Sequence, residues 1–215
     1  GGAHPSDDAF VAMIDSAETI VRFSLQDLGP VCFPGGKRPL PGCRWPHAYL
    51  EAMARVIWTK GVDCEILLSN PGSIPGGLSG LEACYGNGWS CVDVAAEIIK
   101  SIQKQFPDAD GDSLAAKVND NLRICFLKTA SGSGYGDGNT KGMHAKHFIV
   151  DDQATYIGSQ NLYICDLSEW GVVVDDAAQT QALKSEYWDP MWEQSYTGAD
   201  VNVDEVMAGL GVDPG

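Results

Sequence analysis

No run of apolar residues in this chain approaches the roughly 18 to 20 that a membrane-spanning helix needs. Its apolar stretches, such as 19–25, 63–69, 123–127 and 147–150, are strand-sized, and a soluble protein is expected. Positive charge is scarce as well. Lys and Arg number 14 against 29 Asp and Glu, a formal net charge of −15. That balance opposes unassisted binding to a polyanion, because phosphate backbones are held mainly by Lys and Arg. Nucleic acid is therefore a poor first substrate, whereas a small or lipid phosphodiester needs only a few well-placed donors. A Cys-x2-Cys ligand pattern is lacking, so neither a metal site nor a cofactor is expected. The start, Gly1-Gly2-Ala3-His4-Pro5, has no initiator methionine and no apolar leader, and reads as a processed or excised terminus.

Cysteine, by contrast, is plentiful at seven residues. Cys32 with Cys43, and Cys84 with Cys91, lie in or beside Gly/Pro-rich loops and are candidates for loop-closing disulfides. Cys64 and Cys125 fall inside strand-like segments, where a reduced, buried thiol is the expectation. The odd count leaves at least one thiol over, with Cys165 also a candidate for pairing. The pattern points to an oxidising compartment and a secreted protein.

With 44% hydrophobic residues, 215 residues suffice for one well-buried core. Phe10, Met13, Ile14 and Ala17 recur at helical spacing behind Ser6-Asp7-Asp8, which predicts a helix over 6–17. A β-branched strand over 19–25 and a Gly/Pro-rich loop follow. A helix with Tyr49, Met53, Val56 and Ile57 on one face then stops at Gly61. The spacing further predicts strands at 62–69 and 122–127, a helix at 92–106, strands at 146–150, 155–157 and 171–174, and a helix over 177–192. Tyr187, Trp188 and Trp192 fit the core of that last helix. This order implies an α/β fold with a mixed β-sheet flanked by helices, as one domain over residues 1–195. Residues 196–215 are acidic and Gly-rich and read as a poorly anchored tail.

The chemistry concentrates in Gly142-Met143-His144-Ala145-Lys146-His147-Phe148-Ile149-Val150-Asp151. On a strand, residues two apart share a face, so His144 and Lys146 would project together while His147 faces away as a structural group. A proton-transfer imidazole would thus sit beside a fixed cation. Shortly after, Gly158, Ser159 and Asn161 offer phosphate-oxygen donors. The carboxylate of Glu169 could accept a hydrogen bond from the second nitrogen of His144 and fix its tautomer. Imidazole, ammonium, amide and carboxylate together suit phosphoryl transfer, where positioning and charge neutralisation are the main tasks. Gln26 and Asp27 end a strand that could reach the site, but an Asp-Leu-Gly-Pro turn accounts for them equally well.

His144-x-Lys146-x4-Asp151 followed by Gly158-Ser159-x-Asn161 resembles the repeated motif of the phospholipase D superfamily. The run from Tyr156 to Tyr163 looks especially like the secreted actinomycete members. Ser24 to Leu28 and Leu183 to Trp192 are similar to the second half of those enzymes, so the resemblance spans most of the chain. It implies one half of a bilobal α-β-α-β-α sandwich, in which two such motifs meet to form one site. One histidine attacks phosphorus to give a phosphohistidine, and the other protonates the leaving alcohol and then activates water or an acceptor alcohol. By that resemblance His144 is the acid and base, Lys146, Ser159 and Asn161 bind the phosphate oxygens, Glu169 orients His144, and Asp151 and Gly158 are structural. The implied substrate is a phospholipid such as phosphatidylcholine at a membrane or micelle surface. The Gly-rich loops 72–90 and 131–142 would form the mouth of the site. Only one motif is present, so the other must come from a companion chain, as in a cleaved precursor, or from a second copy of this chain, as in a homodimeric nuclease. A non-catalytic module for phosphorylated ligands is the remaining alternative.

Overall fold

The computed structural model describes residues 4–33, 37–71, 73, 89–109, 111–136, 140–162, 168–198 and 201–212. Its frame is a six-stranded mixed sheet in the order β3-β2-β1-β4-β5-β6. The strands are β1 (Ile20–Leu25), β2 (Asp63–Leu68), β3 (Leu122–Phe126), β4 (Lys146–Val150), β5 (Ala154–Gly158) and β6 (Gly171–Asp175). β1, β2 and β3 run parallel, and the crossovers between them carry helices, as parallel strands require. β4 then pairs antiparallel with β1 and continues into an antiparallel meander through β5 and β6.

Strand alternation sorts the core into two layers. Val21, Phe23, Cys64, Ile66, Ile124, Phe148 and Tyr156 face one way, against α1 (Pro5–Ser16), α2 (His47–Lys60), α3 (Cys91–Gln105) and α4 (Gly111–Asn121). Phe10 of α1 closes this layer with edge-on contacts to Phe148 and Tyr156, at ring separations of 5.3 and 4.4 Å. Leu67, Cys125 and Ile149 face the other way, against Trp188. Trp188 belongs to a helical rod made of α5 (Ala177–Leu183), a π-helical turn at Lys184–Trp188 and α6 (Asp189–Ser195). No helix among the described residues is long and apolar enough to cross a membrane.

Two expectations are corrected, and one helix is additional. The segment 196–215 is anchored in its middle: Val203–Gly209 forms α7, capped by Asn202, and buries Val203, Val206 and Met207 in the main core. Their i, i+3, i+4 spacing gives the short helix one apolar face despite its acidic surroundings. Helix α4 precedes β3 without having been predicted. The loop-closing bond between Cys32 and Cys43 is not formed: both are thiols, and burial and the neighbouring Cys43 raise the pKa of Cys32. Cys64 is a buried thiol, pushed up to about 12 by burial. Cys84, Cys165, Tyr163 and most of the loop 72–90 lie outside the described residues.

Candidate active site

Strand register brings four chain segments to one edge of the sheet. Leu25 pairs with Lys146, His147 with Ile157, and Gly158 with Gly171. The exit of β1, the entry of β4, the exit of β5 and the entry of β6 therefore meet, at the carboxyl end of the parallel strands where open α/β sheets place their ligands.

β4 begins at Lys146, so His144 lies in the lead into the strand rather than on it. That lead is tied down on both sides of the imidazole. Met143 N donates to Ser69 Oγ at 2.8 Å, Asn70 Nδ2 donates to the Lys141 carbonyl at 2.9 Å, and Gln26 N donates to the Ala145 carbonyl at 2.8 Å. His144 itself is exposed. Partial burial of the ring, and secondly the Lys146 charge, hold its imidazole below the usual histidine range, which favours the neutral, proton-accepting form at neutral pH.

Lys146 is the opposite case, only 7% exposed. Its ammonium donates to Gln26 Oε1 at 2.8 Å and to the His144 carbonyl at 2.9 Å. Burial pushes it down to about 8, and the carboxylates of Asp27 and Glu169 oppose that shift. A cation is thus held in place by a carbonyl, an amide and two anionic neighbours.

The β5–β6 side supplies the carboxylate. Ser159 Oγ donates to Glu169 Oε2 and accepts from Trp170 N at 3.0 Å, while Ser159 N donates to the Trp170 carbonyl at 2.9 Å. In this arrangement the Ser159 hydroxyl fixes Glu169 rather than standing open to a phosphate. Gly158 and Gly171 are needed because the Tyr156 side chain lies across the pair: a Cβ on either would come within 2.0 or 2.3 Å of it. Asn161 is half-buried, and its neighbour Leu162 bridges Leu28, which places the amide beside the segment leaving β1.

Asp151 lies at the opposite end of β4, far from His144. Its carboxylate accepts from Glu18 N, Thr19 N and Thr19 Oγ1, each at 2.8 Å, and from Ile20 N at 2.9 Å. It thereby caps the start of β1. His147 points to the other face, buried between Ser24 Oγ at 3.1 Å and Thr155 Oγ1 at 2.9 Å. The residues that sequence reasoning left undecided or unnoticed are Gln26, Asp27, Ser69 and Asn70. Their signal was positional: polar pairs directly after two apolar strands of a parallel sheet.

No protein-family profile matches the chain. A phospholipase D from Streptomyces antibioticus is 30% identical over 198 residues, covering 91% of this chain and 33% of that protein. This similarity supports a place for the chain in the phospholipase D superfamily. It spans about a third of the length of that relative. Two solved structures are similar at 17% identity: NucT from Helicobacter pylori, with a TM-score of 0.48 over 89% of this chain and 93% of that one, and Nuc from Salmonella typhimurium, a phospholipase D family member, with a TM-score of 0.49 over 92% and 95%. Of the superfamily motif's residues in this chain, His144, Lys146, Gly158, Ser159 and Asn161 gather at the one sheet edge. Asp151 closes the far end of the same strand.

Proposed function

We propose that this chain is one catalytic half of a phospholipase D-type phosphodiesterase that cleaves the distal phosphodiester of phospholipids such as phosphatidylcholine, with a companion chain supplying a second His-x-Lys motif. The observation that carries this reading is the buried Lys146 ammonium, held beside the exposed His144 and between the segments bearing Asp27, Asn161 and Glu169. The histidine of the companion attacks phosphorus, and the bond from phosphorus to the alcohol oxygen breaks as that oxygen takes the proton of the His144 imidazolium. Water then gives its proton to His144 as its oxygen displaces the phosphohistidine nitrogen, releasing phosphatidic acid; an acceptor alcohol in place of water gives transfer. Burial and the Lys146 charge favour neutral His144, and the negative charge of a bound phosphodiester favours the imidazolium that the first step uses. Lys146 and Asn161 bind the non-bridging oxygens. Glu169, fixed by Ser159, orients His144.

Charge arithmetic supports the need for a companion. Lys146 contributes one formal positive charge against one negative each from Asp27 and Glu169, so this half-site is net anionic while His144 is neutral. An anionic phosphodiester needs further cations to stay bound. The test is reconstitution with the companion chain and phosphatidylcholine vesicles. Activity is expected only with both chains, a His144→Ala change should lower turnover by roughly 10²- to 10⁴-fold, and acid-quenched enzyme should carry a phosphatidyl group on the companion's histidine. A phosphatidyl group trapped on His144 would reverse the two roles. Full activity from this chain alone as a monomer would end the half-site reading.

A further inference from the structure

The two residues after β1 do not turn out to solvent. Gln26 is 8% exposed and Asp27 is 4% exposed, although both are polar and sit in a connection rather than a strand. Gln26 is engaged from backbone and side chain at once: its N–H holds the lead into β4 at Ala145, and its amide oxygen accepts from Lys146 Nζ at 2.8 Å. Asp27 borders a small cavity whose other walls include Leu28, Leu68, Trp89 and Phe126. Buried in this way, its carboxylate acts strongly on a neighbouring cation. Leu28 then bridges Leu162 and joins this segment to the one bearing Asn161.

We propose that Gln26 and Asp27 are positioning residues for Lys146, Gln26 aiming the ammonium at the phosphate position and Asp27 keeping it charged there. The value of this pair for the reaction rests on the function proposed above; its electrostatics can be tested without it. The groups facing Lys146 are Asp27 after β1, Glu169 before β6 and His144 before β4, with the Tyr156 hydroxyl of β5 near Glu169. Burial draws the ammonium down, Asp27 is the larger of the two opposing influences, and Glu169 is the lesser. Without Asp27 the cation loses its main support and deprotonates at lower pH. An added carboxylate at position 26 does the reverse.

The experiment follows the side-chain titration of Lys146 by NMR on isotope-labelled lysine in the whole chain, with the signal assigned by its loss in Lys146→Arg. The native midpoint is expected near 8. Asp27→Asn should lower it by about one pH unit or more, and Gln26→Glu should raise it by a comparable amount. An unchanged midpoint in a folded Asp27→Asn chain overturns the proposal. If that variant does not fold, an unmoved midpoint in Gln26→Glu overturns it equally. In the reconstituted enzyme, the alkaline limb of the pH–rate profile should move down with Asp27→Asn in step with the titration, an effect that lost folding stability alone does not produce. A midpoint that moves while the limb stays fixed removes the pair from the reaction and counts against the function proposed for Lys146, whereas a chain inactive under all conditions leaves the titration result standing.

Discussion

His147 carries the clearest pH signature of any single residue here. It is 5% exposed, bonded to Ser24 and Thr155, with the Tyr187 ring edge-on at 5.2 Å. Burial pushes its imidazole down from 6.5 to about 4. Between those two values the unfolded chain binds a proton that the native chain refuses, so stability rises with pH across the window. It is fully present above 6.5 and falls as the pH drops toward 4, by up to ~3 kcal/mol. Thermal melts from pH 7 down to 4 should show a shallower decline for His147→Asn than for the native chain, and parallel curves would assign the acid sensitivity elsewhere. Asp151 gives a second residue-level outcome. Replacing it with Ala frees four donors at the start of β1 and should cost about 1–3 kcal/mol in urea denaturation. The motif made His144 and Lys146 legible in the sequence, and alternation made His147 legible as a structural group. Gln26 was not legible, because its partner lies 120 positions away and only the β1–β4 register brings them together.

The strands were readable as short β-branched or apolar runs, and the longer helices by periodic apolar faces, several of them with glycine or proline near their ends. The exceptions have physical reasons. α4 has only Leu114, Ala115 and Val118 buried and ends in Asn119-Asp120-Asn121, residues that favour caps and turns over helix interiors. The last long helix was anticipated as regular, but it widens into a π turn at Lys184–Trp188. The extra residue in that turn changes the phase of the helix. There Tyr187 reaches Ser24 at 3.3 Å, and Trp188 packs on Leu67, Cys125, Met143 and Ile149. Met143 precedes His144, so this turn supports the site from beneath. Trp188→Ala should cost roughly 3–5 kcal/mol by leaving a cavity under the sheet. It should also lower turnover more than Asp151→Ala does at equal residual stability, because the loosened contact adjoins the imidazole. Urea denaturation and initial rates on the two reconstituted variants check this.

At the scale of the molecule, the sheet has an edge that nothing in its own fold covers among the described residues. β6 is the last strand, Gly-Val-Val-Val-Asp, and four of its five residues are exposed. Val172, Val173, Ile157 and Trp170 are 46%, 51%, 40% and 71% exposed. Soluble proteins usually protect such an edge with lysine, proline, a bulge or a covering loop, since its free backbone groups template pairing with another strand. None of those side chains occurs within β6, and the net charge of −15 supplies only a diffuse repulsion that salt screens. The isolated chain should therefore associate in a concentration-dependent way, more strongly as ionic strength rises. Val173→Lys should suppress this, because a lysine in the middle of the edge strand would have to be desolvated on pairing. Light scattering over a concentration series at low and high salt measures it, and equal association of the two proteins would mean that the contact forms elsewhere on the surface.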